Sequence, residues 1–63
     1  MVIFVKDVKI WDKDNKQSGL DARYTLQKNY PLIILENYLY VPTDSGELVR
    51  KHPDEFKIAK VIG

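Results

Sequence analysis

The stretch from Tyr30 to Val49 restricts the fold more than any other part of the chain. It reads Tyr-Pro-Leu-Ile-Ile-Leu-Glu-Asn-Tyr-Leu-Tyr-Val-Pro-Thr-Asp-Ser-Gly-Glu-Leu-Val. Two short runs of β-branched, aliphatic and aromatic residues, Leu32 to Leu35 and Tyr38 to Val41, have the length and composition of strands. Between them stand only Glu36 and Asn37. Two polar residues are the length of a tight hairpin turn, although one long bent strand through both would serve as well. Pro31 and Pro42 lack an N–H donor and belong at strand ends or on sheet edges. Asp44-Ser45-Gly46 supplies a turn in which Gly46 is free to take positive φ, and Glu47 to Arg50 returns from it. The pattern is that of a small antiparallel β domain, and either Ile33 or Ile34 is expected to face its core. Truncation of the inward-facing one to Ala is expected to cost about 2–5 kcal/mol.

The flanking sequence adds strands at both ends. Val2 to Trp11 is rich in Val, Ile, Phe and Trp, but its alternation changes phase. Ile3 and Val5 share one parity, and Val8 and Ile10 the other, with Lys6 and Asp7 at the change. Either a β-bulge there keeps all four on one core, or both strand faces are partly covered. Asp12 to Arg23 is polar and reads as a long loop or hairpin excursion pinned by Leu20. Tyr24 to Leu26 reads as a short strand. His52-Pro53-Asp54-Glu55 reads as a single helical or 3-10 turn, with Asp54 and Glu55 capping it, and Phe56 to Ile62 as the closing strand. The sum is an all-β domain spanning 1–63: a five-stranded antiparallel SH3-like barrel with a short 3-10 turn before the last strand. An OB-like barrel is the alternative.

Composition excludes several classes. With 63 residues and no cysteine, the chain has neither disulfides nor a cysteine-ligated zinc site to supplement a small core. Ten Lys and Arg stand against nine Asp and Glu, a net charge of +1, and they are interspersed. Such a balance gives little long-range steering toward nucleic acid or membrane. The N-terminus, Met-Val-Ile-Phe-Val-Lys-Asp, lacks the basic lead and the length of a secretory signal. No apolar run approaches the roughly 20 residues that span a bilayer. The expectation is a soluble cytoplasmic protein, without cofactor or membrane partner, monomeric or a small homo-oligomer.

Leu26-Gln-Lys-Asn29, Tyr30, the hydrophobic run, Tyr38-Leu-Tyr-Val, Asp44-Ser-Gly-Glu47 and Phe56 together resemble small SH3-like barrel proteins of bacteriophages and prophages. Those commonly carry a Leu-x-Lys-Gly-x-x-Tyr segment, a strand, an Asp-x-Gly-Glu turn and a Phe before the last strand. The similarity covers Leu26 to Ile58. Here Asn29 takes the place of the usual glycine, and Pro31 is inserted. The resemblance implies fold and origin, with a host cytoplasm as the location. No Ala-Leu-Tyr-Asp-Tyr segment is present, so recognition of proline-rich peptides is not implied.

The residues offer little chemistry. Asp12-Lys-Asp14-Asn-Lys16 begins like a calcium loop, but Lys16, Gln17 and Arg23 stand where an oxygen ligand, a glycine and a bidentate Glu are needed. His52 has carboxylates beside it at Asp54 and Glu55, yet no nucleophile stands in a recognisable motif, and a surface turn is the plainer reading. No enzyme activity is expected. The aromatic residues are more informative. Leu39 and Val41 share one strand face, and Tyr38 and Tyr40 the other. If the aliphatic pair faces inward, the tyrosines line the surface, joined by Trp11, Tyr24 and Tyr30, as a face for an unidentified protein partner. The contrary reading is that tyrosine simply forms good cross-strand pairs. The same aromatics, with Lys9, Lys28, Arg50 and Lys51 toward phosphates, would suit single-stranded nucleic acid. A third reading is a structural subunit that self-associates through edges left by Pro31 and Pro42. The leading expectation is a non-enzymatic binding module, a phage or prophage accessory protein that engages a host protein.

Overall fold

A computed structural model describes the backbone of residues 1–12 and 17–63 and the side chains of residues 1–10 and 19–63. The protein is all-β. Its strands are β1 (Val2–Lys6), β2 (Lys9–Asp12), β3 (Gln17–Leu20), β4 (Tyr30–Pro31), β5 (Ile33–Leu35), β6 (Tyr38–Pro42), β7 (Leu48–Arg50) and β8 (Lys57–Ile62). A 3-10 turn, Pro53–Glu55, precedes β8. The strands form three small antiparallel sheets, ordered β4-β1-β8, β2-β3 and β5-β6-β7. Only Leu32 separates β4 from β5, and its N–H donates to Ile3 O at 2.8 Å. One nearly continuous segment therefore contributes to two sheets.

Local turn chemistry sets the registers. Glu36 and Asn37 both have positive φ, 49° and 70°, the requirement of a type I′ hairpin turn, and they place Leu35 opposite Tyr38. A non-glycine residue in this region costs roughly 1–2 kcal/mol, less for Asn than for Glu. Glu36→Asn/Asn37→Gly should therefore raise stability by about 0.5–1 kcal/mol, read as a higher urea midpoint with unchanged slope. The β6–β7 loop turns at Gly46, φ 89°, whose N–H donates to Thr43 O at 2.9 Å. Thr43 N in turn donates to Glu47 O at 2.8 Å.

The phase change at Lys6-Asp7 is a break between strands. Asp7 takes φ 52°, β1 ends before it, and β2 leaves to pair with β3. The irregularity in β1 lies instead between Phe4 and Val5, where its register with β8 shifts. Val5 and Val8 are buried and Ile3 packs against them, but Ile10 is about half exposed, so the four do not share one core.

The core is small and partly aromatic: Val5, Val8, Tyr24, Tyr30 and Val41, with Ile3, Leu32 and Phe56 against it. Several expectations are corrected here. Residues 24–26 form a turn region, not a strand. Leu20 is 57% exposed and is not part of the core. Ile34 is 60% exposed and Ile33 half-buried, so neither is the deep core residue; Val5 and Val41 are. Pro42 ends β6, which is flanked on both sides, so it leaves no free edge; Pro31 does lie on an edge strand.

Candidate functional site

The outward face of β5-β6-β7 is built by register. Val41 is fully buried and lies opposite Val49, which sets the inner face. Strand alternation then turns Tyr38, Tyr40 and Pro42 outward. Their partners share that face: Leu35 beside Tyr38, Ile33 and Arg50 beside Tyr40, Leu48 beside Pro42. Leu35, Tyr38 and Leu48 remain 50%, 44% and 48% exposed. The Arg50 guanidinium lies 3.8 Å from the centre of the Tyr38 ring, a cation–π contact that ties the two side chains together. The result is an apolar, aromatic surface with one cation at its side. Tyr38 and Tyr40 fall where the aliphatic-inward parity of β6 puts them. Ile33, Leu35, Pro42 and Leu48 were not foreseen, because only the cross-strand register brings them to the same face.

Tyr24 and Tyr30 do not belong to that surface. They are 8% and 3% exposed and meet edge to face, ring centres 5.1 Å apart at 89°. Buried tyrosines need partners for their hydroxyls, and both have them. Tyr24 OH donates to Val41 O at 2.6 Å. Tyr30 OH donates to Asp44 Oδ1 at 2.5 Å and accepts from Thr25 N at 2.6 Å. Burial pushes the Tyr24 hydroxyl up to about 12, assisted by the Asp21 charge. The Tyr30 hydrogen bond, with those from Thr25 and Lys28, lowers the Asp44 carboxyl below its ordinary value. The side chain of Trp11 lies outside the described residues, as does most of the Asp12–Lys16 segment.

Lys51 is also withdrawn from the surface, at 4% exposure. Its ammonium donates to Lys9 O and Asp21 Oδ2, both at 2.9 Å, and to Glu55 Oε2 at 3.5 Å. It lies 5.8 Å from the centre of the Tyr24 ring. Asp21 is 2% exposed and accepts in addition from Arg23 N, Nε and Nη2 at 3.0, 3.0 and 2.7 Å. Arg23, and then Lys51, hold the Asp21 carboxyl well below the usual carboxylate range against the opposing effect of burial. Glu55 Oε1 accepts from His52 N at 2.9 Å, the carboxylate half of a capping box on the 3-10 turn. This cluster ties β2, the segment after β3 and the turn before β8 into one body. The three N–H donors of the Lys51 ammonium meet three protein acceptors, so it is a structural link and not a phosphate contact.

The remaining nucleic-acid candidates are scattered. Lys28 pairs with Asp44 at 3.5 Å and lies 5.3 Å from the Tyr30 ring centre. Arg50 covers Tyr38, and Lys9 is half-buried on β2. A cleft of about 190 Å³ opens between Asp7, Leu20, Ala22 and Leu26, smaller than the ~300 Å³ at which small-molecule sites begin. Asp7 Oδ1 is buried beside it without a hydrogen-bond partner among the described residues. Among the described residues no group of three His, Cys, Asp or Glu is placed to hold a metal, and no helix is long and apolar enough to cross a membrane. No family model, curated protein or solved structure matches the chain.

Proposed function

We propose that the chain is a small SH3-like barrel acting as a non-enzymatic protein-binding module, with the outer face of β5-β6-β7 as its docking surface. The barrel reading is supported by strand connectivity. One segment, β4 and β5, runs through two three-stranded sheets, β2-β3 is a hairpin excursion, and a 3-10 turn precedes the last strand. The observation that carries the functional reading is the contiguous row of half-exposed Leu35, Tyr38 and Leu48 around Tyr40, with Arg50 clamped over Tyr38. An aromatic side chain that already has a partner, as Tyr38 has in Arg50, loses little freedom on association. The partner that fits is a protein with an apolar strip and a carboxylate to meet Arg50. Origin as a phage or prophage accessory protein working in a bacterial cytoplasm rests on the resemblance of Leu26 to Ile58.

The test is capture from bacterial lysate on immobilised protein, followed by titration of what is captured. Tyr38→Ala/Tyr40→Ala should weaken a specific partner about thirtyfold or more, a loss of about 2 kcal/mol, while the variant still shows a cooperative thermal transition well above the assay temperature. A partner held equally well by the double variant would count against this face. Dimerisation abolished by the same double variant would show that the partner is a second copy of the chain.

A further inference from the structure

A second surface lies on the outward face of β4-β1-β8. Val5 is fully buried and Ile3 packs against the core, which turns Phe4 and Lys6, both half-buried, toward the other face. The register places Lys60 beside Phe4, Lys57 beside Lys6, and Pro31 on the other side of Phe4. Three lysines therefore share one face with an aromatic ring. None of the residues in β1, β4 and β8 is acidic. No ion pair engages Lys6, Lys57 or Lys60 among the described residues, where the salt bridges all involve Arg23, Lys28 or Lys51. Asp7 follows Lys6 directly but makes no such pair with it, and its Oδ1 is buried.

Like charges directly opposite across two strands are unfavourable. Lysines on an edge strand have a plain structural use, since they discourage edge-to-edge pairing, and β8 is such a strand. That explains Lys57 and Lys60. It does not explain Lys6, which sits on the central strand β1 directly beside Lys57. We propose that this face is an anion-binding surface for single-stranded nucleic acid, with Lys6, Lys57 and Lys60 on consecutive phosphates and a base against Phe4. Backbone phosphates relieve the Lys6–Lys57 repulsion. An aromatic side chain among cations on a sheet combines the two elements of sequence-tolerant single-strand binding. Strand rise separates the Lys60–Phe4 row from the Lys57–Lys6 row by about 7 Å, so neighbouring rows meet neighbouring groups of an extended strand. This surface is separate from the tyrosine face and does not depend on that face binding a protein.

The test is fluorescence anisotropy with a fluorescein-labelled oligothymidylate of about 12 nucleotides, within the usual site size of small barrels. Three neutralised phosphates predict that affinity falls about twentyfold between about 50 and 200 mM salt. Lys6→Gln/Lys57→Gln/Lys60→Gln should lower the affinity at least tenfold at the lower salt and flatten its salt dependence, with no loss of melting temperature. Tyr38→Ala/Tyr40→Ala should bind the oligonucleotide normally. Absence of binding at the lower salt, or binding unchanged in the triple variant, overturns the proposal. So does equal competition by poly-glutamate, which would assign the face to an acidic protein, or stronger binding to phosphatidylserine vesicles, which would assign it to a lipid surface.

Discussion

Lys51→Ala is expected to cost about 3–5 kcal/mol, because it takes the shared cation from two buried carboxylates, leaving Asp21 to Arg23 and Glu55 to the His52 amide, and frees the Lys9 carbonyl. The side chain is 4% exposed, and its ammonium meets Asp21, Glu55 and the Lys9 carbonyl. A domain of this size rarely has much more stability than that to lose. Urea denaturation should therefore find the variant largely unfolded or with its midpoint near zero. Asp21→Asn/Lys51→Met/Glu55→Gln, which removes the charges together, should recover a substantial part of the loss. A single Lys51→Ala protein as stable as the parent would show that the network is not formed. Acid provides an independent check. The folded-state pKa of Asp21 lies below its unfolded value of 3.8, so its contribution is complete above about pH 5. It is lost as pH falls through 3.8 and below, toward the depressed folded-state value. Melting temperature should decline over that range, and Asp21→Asn should flatten the decline.

What was legible in the sequence follows the range of the interactions involved. The Glu36-Asn37 turn and the Gly46 turn depend on residues within a few positions of one another, and both fall where turn chemistry puts them. Alternation put Leu39 and Val41 on one face and Tyr38 and Tyr40 on the other, but which face points inward was settled only by the burial of Val41. The pinning of Lys51 was not, since its acceptors Lys9 and Asp21 lie 42 and 30 residues away. A lysine that finds three acceptors leaves no trace in composition or periodicity. Tyr24 and Tyr30 were misplaced for a related reason. Burial of a tyrosine requires a protein partner for its hydroxyl, and the partners here, Val41 O and Asp44, are remote in sequence. The break at Asp7 produced the same phase change that a bulge would. Both proposed docking faces needed the register. Lys6 and Lys57 stand 51 positions apart in the chain and become neighbours only through the β1–β8 pairing.

The two outward faces differ in kind although they belong to one small domain. The β5-β6-β7 face carries exposed Leu35, Tyr38 and Leu48 and one arginine, whereas the β4-β1-β8 face carries three lysines and no acid. A net charge of +1 conceals this segregation, because most of the acidic residues lie in loops and turns: Asp7, Asp21, Glu36, Asp44, Glu47, Asp54 and Glu55. The ionic cluster and the tyrosine pair lie inside, apart from both faces.

Tyr30→Ala should be about as damaging as loss of Lys51, at about 3–5 kcal/mol. The ring is 3% exposed, packs edge to face on Tyr24, and carries a hydroxyl between Thr25 N and Asp44. Truncation removes the packing and leaves the Thr25 amide without that acceptor. Tyr30→Phe keeps the ring and removes only the hydroxyl, so it should cost about 1–2 kcal/mol. At roughly 4–8 °C per kcal/mol for a domain of this size, the two variants should separate clearly in a thermal melt. Tyr38→Ala, on the exposed face, should stay within about 1 kcal/mol of the parent, the loss being one cross-strand pair and the Arg50 contact. The ordering Tyr30→Ala, Tyr30→Phe, Tyr38→Ala distinguishes a tyrosine that builds the domain from one that the domain displays. If Tyr30→Ala melts like the parent, Tyr30 belongs on the surface after all, and the division between core and docking face drawn through these strands is wrong.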